Sequence, residues 1–189
     1  MNELKTIIKD RRSVRRFHEK NISHEQINEI LSAAQWAQSW GNSQCWEIIL
    51  IDANTQKEKL TQILRKKNPA LKAINSAPIV IALCAHIEKS GYYKKEQITK
   101  FKNWFMYDLG ILTQNICLTA HSLGLGSVVI GAFDHEKAKE ILNIPKQFEI
   151  VSLLPIGYPA HLPPAPKRRD KDDFTHYNCF NNPFLHEKR

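Results

Sequence analysis

The chain has 189 residues, of which 42% are hydrophobic and 24% charged, and this near-average composition excludes a disordered, collagen-like or coiled-coil protein. No apolar run approaches the roughly 20 residues that span a bilayer, and no signal-peptide pattern follows Met1, so we expect a cytoplasmic protein without a membrane partner. The 27 Lys and Arg residues outnumber the 19 Asp and Glu residues, giving a net charge of +8. Such a surface favours an anionic partner, which is a nucleic acid, an acidic lipid or a phosphorylated cofactor.

The four cysteines, Cys45, Cys84, Cys117 and Cys179, are widely spaced and form no CxxC pair. No cysteine has a histidine at metal-ligand spacing, which argues against a zinc site. Cys84 and Cys117 lie within apolar runs, where a free cysteine packs as a small hydrophobic residue. We therefore expect reduced thiols, no disulfides and no metal.

Hydrophobic periodicity predicts the elements of the first half of the chain. In chain order these are a short helix at 3–10, a helix after Ser23, a buried strand at 46–51, a helix capped by Thr55 that continues to about 66, and a buried strand at 78–85. Ser23 and Gln26 have the spacing of a capping box, in which the two side chains bond to each other's backbone amides. Thr55 and Glu58 have the same spacing, so we expect a cap there too.

The second half is predicted to contain the longest helix, at 103–123, followed by Gly124 as the residue that ends it. After it come a strand at 125–133, a helix from Asp134 to about 143 and a strand at 149–158. From Pro159 onwards prolines exclude regular structure. The sequence therefore predicts one α+β domain over 1–189, in which about 160–189 form an extended C-terminal arm.

Two basic clusters are candidates for binding an anion. The segment 11–15 holds three guanidinium groups and the hydroxyl of Ser13. One guanidinium group can donate two parallel hydrogen bonds to the oxygens of a phosphate. A second cluster, 167–169, follows the proline-rich stretch. The alternative for each is a solvated run of charge, which for 11–15 lies at the end of a helix where cations are favoured.

Two further segments, 39–44 and 124–131, are candidates for contacting a ligand through their backbone. The polar segment 39–44 connects a helix to a strand, where its amides can hold a ligand or form an ordinary turn. The glycine-rich segment 124–131 lies between a helix and a strand, so it is not a dinucleotide-binding fingerprint, which opens a helix after a strand. We interpret it as a helix end followed by a close approach of the backbone to another group.

Four segments together resemble the flavin-dependent nitroreductase family. RRSVRRF at 11–17 is similar to the family's RRSxRxF, and AQSWGNSQCW at 37–46 resembles its APSxxNxQPW. AHSLGLGSVVIGAF at 120–133 resembles A-x-x-LGLG-x-x-x-IG-x-F. LPIGYP at 154–159, followed by the basic cluster 167–169, resembles the family's closing segment. The order and spacing agree from about residue 3 to 173.

The resemblance implies a three-layer α/β/α sandwich around a mainly antiparallel sheet of four or five strands. It also implies a homodimer with exchanged C-terminal arms, which binds one FMN tightly per subunit at the interface. NAD(P)H would reduce the flavin, and a small electron-poor acceptor such as a nitroaromatic or a quinone would reoxidise it in a ping-pong cycle. The flavin carries the chemistry, so no catalytic side chain and no metal are expected.

The resemblance also implies roles for individual residues. The phosphate end of FMN would be bound by Arg11, Arg12, Ser13, Lys167 and Arg169. Arg15 would lie near N1 and O2 of the flavin ring, and the backbone of Ile130 and Gly131 near N5. Ser39 and Asn42 would reach the flavin from the partner subunit, and Gln44 is a further cofactor-binding candidate. The acceptor pocket would be lined by Trp40, Trp104 and Tyr107, the last two in a helical lid at 92–107.

The sequence departs from the family pattern within 37–46. Gln38 and Cys45 replace two prolines, and the bulky Trp40 stands where small residues are common, which puts the acceptor class in doubt. Alternatives on the same fold are dehalogenation, flavin fragmentation and azoline oxidation. A basic nucleic-acid-binding domain is a further alternative, suggested by the Lys-rich stretches 57–72 and 94–102, but the chain has no recognisable nucleic-acid-binding motif, so we expect no nucleic-acid partner.

Overall fold

A four-stranded antiparallel sheet organises the fold in the computed structural model, which describes residues 3–184. Its strands are β1 (Trp46–Ile51), β2 (Ile79–His86), β5 (Gly126–Ser127) and β6 (Phe148–Gly157), in the order β1-β2-β6-β5. The two long strands β2 and β6 form its centre, with Ala82 opposite Leu153. A separate two-strand hairpin joins β3 (Tyr92–Tyr93) to β4 (Glu96–Gln97).

Within residues 3–184, six α-helices pack around the sheet. They are α1 (Glu3–Asp10), α2 (His24–Gln35), α3 (Asn54–Gln62), α4 (Leu71–Ser76), α5 (Phe105–Ser122) and α6 (His135–Ile141). Successive side chains of β2 point to opposite faces. Ile81 and Leu83 pack in one core with α2 and α5, whereas Val80 and Ala82 pack in the other with α3, α4 and α6. The predicted α+β fold and the three-layer α/β/α sandwich are confirmed.

Local signals explain several of the helix ends. Ser23 and Gln26 form the predicted capping box at the start of α2, and Asp134 caps α6 by accepting from the Lys137 amide. Gly124, at φ 76°, follows α5 in the left-handed conformation that glycine adopts without a steric cost. These three predictions are confirmed.

Other element predictions are wrong in detail. The strand expected at 125–133 pairs as a strand over Gly126–Ser127 alone, since beyond it Ile130 and Phe133 form isolated bridges to Leu153 and Leu64. The strand β1 is an edge strand in which Ile51 alone is fully buried. Helix α3 ends at Gln62, and its N-cap is Ala53. Thr55 does not cap it, because its hydroxyl donates to the side chain of Gln56.

The prediction of a helical lid at 92–107 is also wrong. The segment forms the β3–β4 hairpin and irregular turns before α5 begins at Phe105. Lys94 and Lys95 occupy the hairpin turn with φ values of 49° and 69°. These are left-handed conformations that Asn-Gly or Asp-Gly usually mark, and two lysines carry no such turn signal. Helix α4 and the short 3-10 turn Trp40–Asn42 were likewise not predicted.

The C-terminal arm begins at a defined point. Pro159 bridges to Phe17, and the Ala160 amide donates to the Arg16 carbonyl at 2.9 Å. Beyond this anchor, up to residue 184, the arm is almost entirely exposed and contains one 3-10 turn, Lys171–Asp173. None of the helices within 3–184 is both long enough and apolar enough to cross a membrane.

The two capping predictions lead to a matched test of stability. Ser23→Ala removes a side chain that accepts the Gln26 amide, so we expect the free energy of unfolding to fall by about 1 kcal/mol. Thr55→Ala removes an exposed hydroxyl that caps nothing and is expected to change it by less than about 0.5 kcal/mol. Urea unfolding of both variants measures the difference, and equal losses would contradict these helix starts.

Candidate functional site

The basic segment 11–15 is held in place by the edge of the sheet. Ser13 pairs with Ser127 of β5 in a parallel bridge, and the Val14 amide donates to the Ser127 carbonyl at 2.9 Å. The Val14 side chain is 1% exposed and lies so close to Gly126 that an added Cβ would meet it at 2.6 Å. A glycine is therefore required at 126 for the segment to lie along β5.

The segment forms one wall of a cationic cavity. The cavity has a volume of about 260 Å³ and is lined by Arg11, Arg12, Ser13, Arg15, Pro163, Pro164, Pro166 and Arg168. Among residues 3–184, four arginines and no Asp or Glu line it. Like charges that converge repel one another, and an anion between them removes that repulsion. The residues present thus fit a phosphate group.

The arm contributes Arg168 to the cationic cavity, and not the Lys167 and Arg169 that the family resemblance implies. Arg168 lines the cationic cavity, whereas Lys167 is exposed outside it. Arg169 donates to the Asp173 carbonyl at 2.6 Å and lies over the Phe174 ring, so it is turned towards its own arm. The sequence identified the cluster, but adjacent side chains of an extended arm point in different directions and spacing alone did not show which one faces the cavity.

A second cavity adjoins the cationic one, and Arg15 lines both. Its volume is about 380 Å³, which is within the range of small-molecule sites. One wall is the segment 128–132, and the other is the loop 67–70 together with Arg65. An apolar surface beside cations suits a planar ring that carries negative charge at one edge. Arg65, Lys67 and Asn68 belong to the Lys-rich stretch 57–72, where no residue pattern distinguishes a ligand-binding side chain from a solvated one.

Of the two residues 130 and 131, Gly131 alone has a backbone amide that is available to a ligand. Both backbone groups of Ile130 pair with Leu153 at 2.9 Å, so neither is available to bond a ligand in this conformation. No acceptor among residues 3–184 bonds to the Gly131 amide. The Gly131 carbonyl lies 3.2 Å from Nε2 of His135, whose ring also stacks on Phe133. The Gly131 amide is therefore available to donate to a ligand beside the apolar cavity. The Gly131 carbonyl already contacts the His135 ring.

The predicted residues Ser39, Asn42 and Gln44 lie apart from this cationic side of the chain. With Gln35–Gln38 they line a different cavity. Asn42 and Gln44 have φ values of 54° and 44°, which are unusual for residues with a side chain. The Gln44 amide donates to the Ser39 hydroxyl at 3.0 Å. Within one chain, the predicted site residues therefore form two separate groups. The first lines the cationic cavity and the second is Ser39, Asn42 and Gln44.

A buried carboxylate lies beneath the segment 39–44. Asp108 is fully buried and accepts from the Trp40 amide at 3.1 Å and from the hydroxyls of Ser43 and Ser90 at 3.4 and 2.6 Å. The Cys45 thiol lies 3.6 Å from it. Burial, together with the Asp108 charge, raises the pKa of the Cys45 thiol to about 12.

The three residues predicted for an acceptor pocket lie on segments that meet at this carboxylate. The rings of Trp104 and Tyr107 are 5.6 Å apart, and Tyr107 precedes Asp108 in the first turn of α5. Trp40 binds Asp108 through its amide. Tyr107 is 65% exposed, so it can contact another molecule.

Comparison with known proteins identifies a family. A model of the nitroreductase family matches residues 8–158. The chain is 31% identical over 160 residues to a "Putative NADH dehydrogenase/NAD(P)H nitroreductase" of Methanothermobacter thermautotrophicus, a match that covers 82% of this chain and 77% of that protein. It is 27% identical over 193 residues to the FMN reductase (NAD(P)H) of Bacillus subtilis, covering 96% and 76%.

A solved structure shows the same fold. The NADPH:FMN oxidoreductase from Vibrio harveyi, in complex with NAD+, matches with a TM-score of 0.82 at 25% identity. The match covers 96% of this chain and 79% of that one. The likeness therefore extends over nearly the whole of this chain.

The burial of the cysteines leads to a prediction about thiol labelling. Cys179 is exposed and the other three are buried; burial raises the pKa of Cys45 and Cys84 to about 12 and also raises that of Cys117. Because the thiolate is the reactive form, the native protein at pH 8 is expected to react with one equivalent of a thiol reagent, and the denatured protein with four. Cys179→Ser should abolish the native reaction, and rapid labelling of a second native thiol would contradict this burial.

Proposed function

Because the chain belongs to the nitroreductase family, we propose that it is a flavoenzyme that binds FMN and oxidises NAD(P)H. The observation that carries the proposal is the lining of one cavity by four arginines, next to a second cavity with an apolar wall. FMN has the matching parts, a phosphate at one end and a planar ring at the other. Relatives named for FMN and NAD(P)H support the assignment.

The phosphate end is assigned to the cationic cavity. Arg11, Arg12 and Arg168 would bind the phosphate oxygens, with the Ser13 hydroxyl as a further donor. The Arg12 guanidinium already donates to the carbonyls of Lys9 and Arg11, so its position is fixed before a ligand arrives. Preorganised charge of this kind lowers the cost of ordering side chains on binding.

The ring end is assigned to the second cavity. Arg15 lines both cavities, so its guanidinium would lie at the edge of the ring that gains negative charge on reduction, and a fixed cation stabilises that charge. The Gly131 amide would donate to the ring from the other edge. When bound, FMN supplies the chemistry by accepting a hydride from NAD(P)H and passing electrons to an acceptor. We propose nitroaromatics or quinones as acceptors, in a ping-pong cycle.

The position of Ser39, Asn42 and Gln44, away from the cationic cavity, supports the proposal of a homodimer. Ser39, Asn42 and Gln44 line a cavity separate from the cationic one, and Trp36 beside them is 82% exposed. The cavity along α5 joins Arg11 and Ser13 to the exposed Met106. A second copy placed against α5 would cover these apolar groups and bring Ser39, Asn42 and Gln44 to the flavin of the other subunit.

The arm adds to the argument for a dimer. It carries four exposed aromatic residues, Phe174, Tyr177, Phe180 and Phe184. Exposed apolar groups in one segment usually indicate a contact surface. We propose that the part of the arm beyond Arg168, which carries these aromatic residues, crosses to the partner subunit.

An absorbance spectrum tests the cofactor directly. The purified protein, supplied with FMN and freed of excess ligand, is expected to be yellow with flavin bands in the visible region. Anaerobic addition of NADH or NADPH should bleach these bands, and a quinone should restore them. A protein that stays colourless after incubation with FMN would contradict the proposal.

The role of Arg15 can be tested against its neighbour. Arg15→Ala removes the cation shared by the two cavities and is expected to weaken FMN binding about 10-fold or more, since bonds to charged groups contribute about 1.5–3 kcal/mol. Arg16→Ala removes the same charge from an exposed position whose carbonyl binds the arm. The dissociation constants, measured by quenching of FMN fluorescence, should differ between the variants. Equal affinities would contradict the assignment of Arg15.

A further inference from the structure

Asp108 stands out because its carboxylate is fully buried and does not face any cavity assigned to the cofactor. It lies in the first turn of α5, where the amides at a helix start favour a negative charge. Burying a carboxylate is costly unless donors surround it. Here two hydroxyls, one amide and one thiol are directed at it.

The donors come from separate segments of the chain. Trp40, Ser43 and Cys45 belong to the connection between α2 and β1, whereas Ser90 precedes the β3–β4 hairpin. Asp108 therefore joins this connection, the approach to the hairpin and the central helix. The shortest of the contacts, 2.6 Å, is the one to Ser90.

The connection needs such support because its backbone is in an unfavourable conformation. Gly41, Asn42 and Gln44 all have positive φ values, of 53°, 54° and 44°. Two of the three are not glycine, and conformations of this kind cost free energy and persist only where surrounding contacts hold them. The Trp40 amide and the Ser43 hydroxyl both donate to Asp108, and these bonds hold the segment on both sides of Gly41 and Asn42.

We propose that Asp108 is a positioning residue, which holds the segment 39–44 in the conformation that presents Ser39, Asn42 and Gln44 to the flavin of the other subunit. The inference rests on the proposed function for its flavin part. Its structural part, the immobilisation of 39–44 by the carboxylate, can be measured without any cofactor. The two parts are therefore tested separately.

The first measurement is amide hydrogen exchange in the flavin-free protein. Asp108→Asn keeps the size of the side chain but replaces one acceptor oxygen with a donor, so it cannot accept from all of its partners. We expect the Ser43 and Gln44 amides, which bond to Trp40 and Ser39 and not to Asp108, to exchange about 10-fold faster. Unchanged exchange at these two amides would overturn the proposal, whatever the protein binds.

The second measurement is the dissociation constant for FMN, with the visible circular dichroism of the bound flavin as a spectroscopic readout. Asp108→Asn is expected to weaken binding about 10-fold and to alter the dichroism. Asp134→Asn is the matched control, because it makes the same change at a carboxylate that caps α6 outside the segment. Asparagine also accepts at a helix N-cap, so the control should alter neither readout. Faster exchange with unchanged FMN binding would overturn the flavin part.

Ser90→Ala is a second variant that keeps the test decisive if Asp108→Asn fails to fold. Its hydroxyl bonds to Asp108, and it is far in sequence from 39–44. It is expected to produce a smaller change in the same direction, about 3-fold, in both exchange and FMN binding. Wild-type exchange and affinity in Ser90→Ala would overturn the proposal. A wild-type protein that binds no FMN would instead refute the proposed function, while the exchange result still decides the role of Asp108.

Discussion

The close contact between Val14 and Gly126 determines the position of the candidate site. Gly126 leaves just enough space for the Val14 side chain, and the backbone bond from Val14 to Ser127 fixes the register of the basic segment beside β5. Ser13 and Arg15, on either side of Val14, thereby face the solvent side where the cavities form. The apolar core thus positions the cations, and the arm, anchored at Arg16, brings Arg168 to them.

The sequence was sufficient for the features that depend on local chemistry. The capping box at Ser23, the cap at Asp134 and the helix end at Gly124 could all be predicted, because each depends on residues a few positions apart. The burial of β2 on both of its faces follows from its continuous apolar run. The cationic cluster at 11–15 could also be identified, since guanidinium groups so close together have few alternatives to an anion or solvent.

The features that were missed depend on contacts between distant segments. Asp108 resembled an ordinary polar residue at the start of a helix, and its partners lie 18 to 68 positions away. Arg168 could not be distinguished from its neighbours without the path of the arm. Lys94 and Lys95 adopt left-handed conformations that their residue type does not suggest, so a hairpin was mistaken for a helix.

The account assigns the two separated groups of residues to one composite site between two subunits, and a crystal structure of the protein with FMN tests this most directly. It predicts the phosphate within bonding distance of Arg11, Arg12 and Arg168, and the ring beside Arg15 and Gly131. It also predicts that residues 39–44 of the second subunit contact the same flavin. A flavin bound away from the guanidinium groups, or held by one subunit alone, would contradict the account.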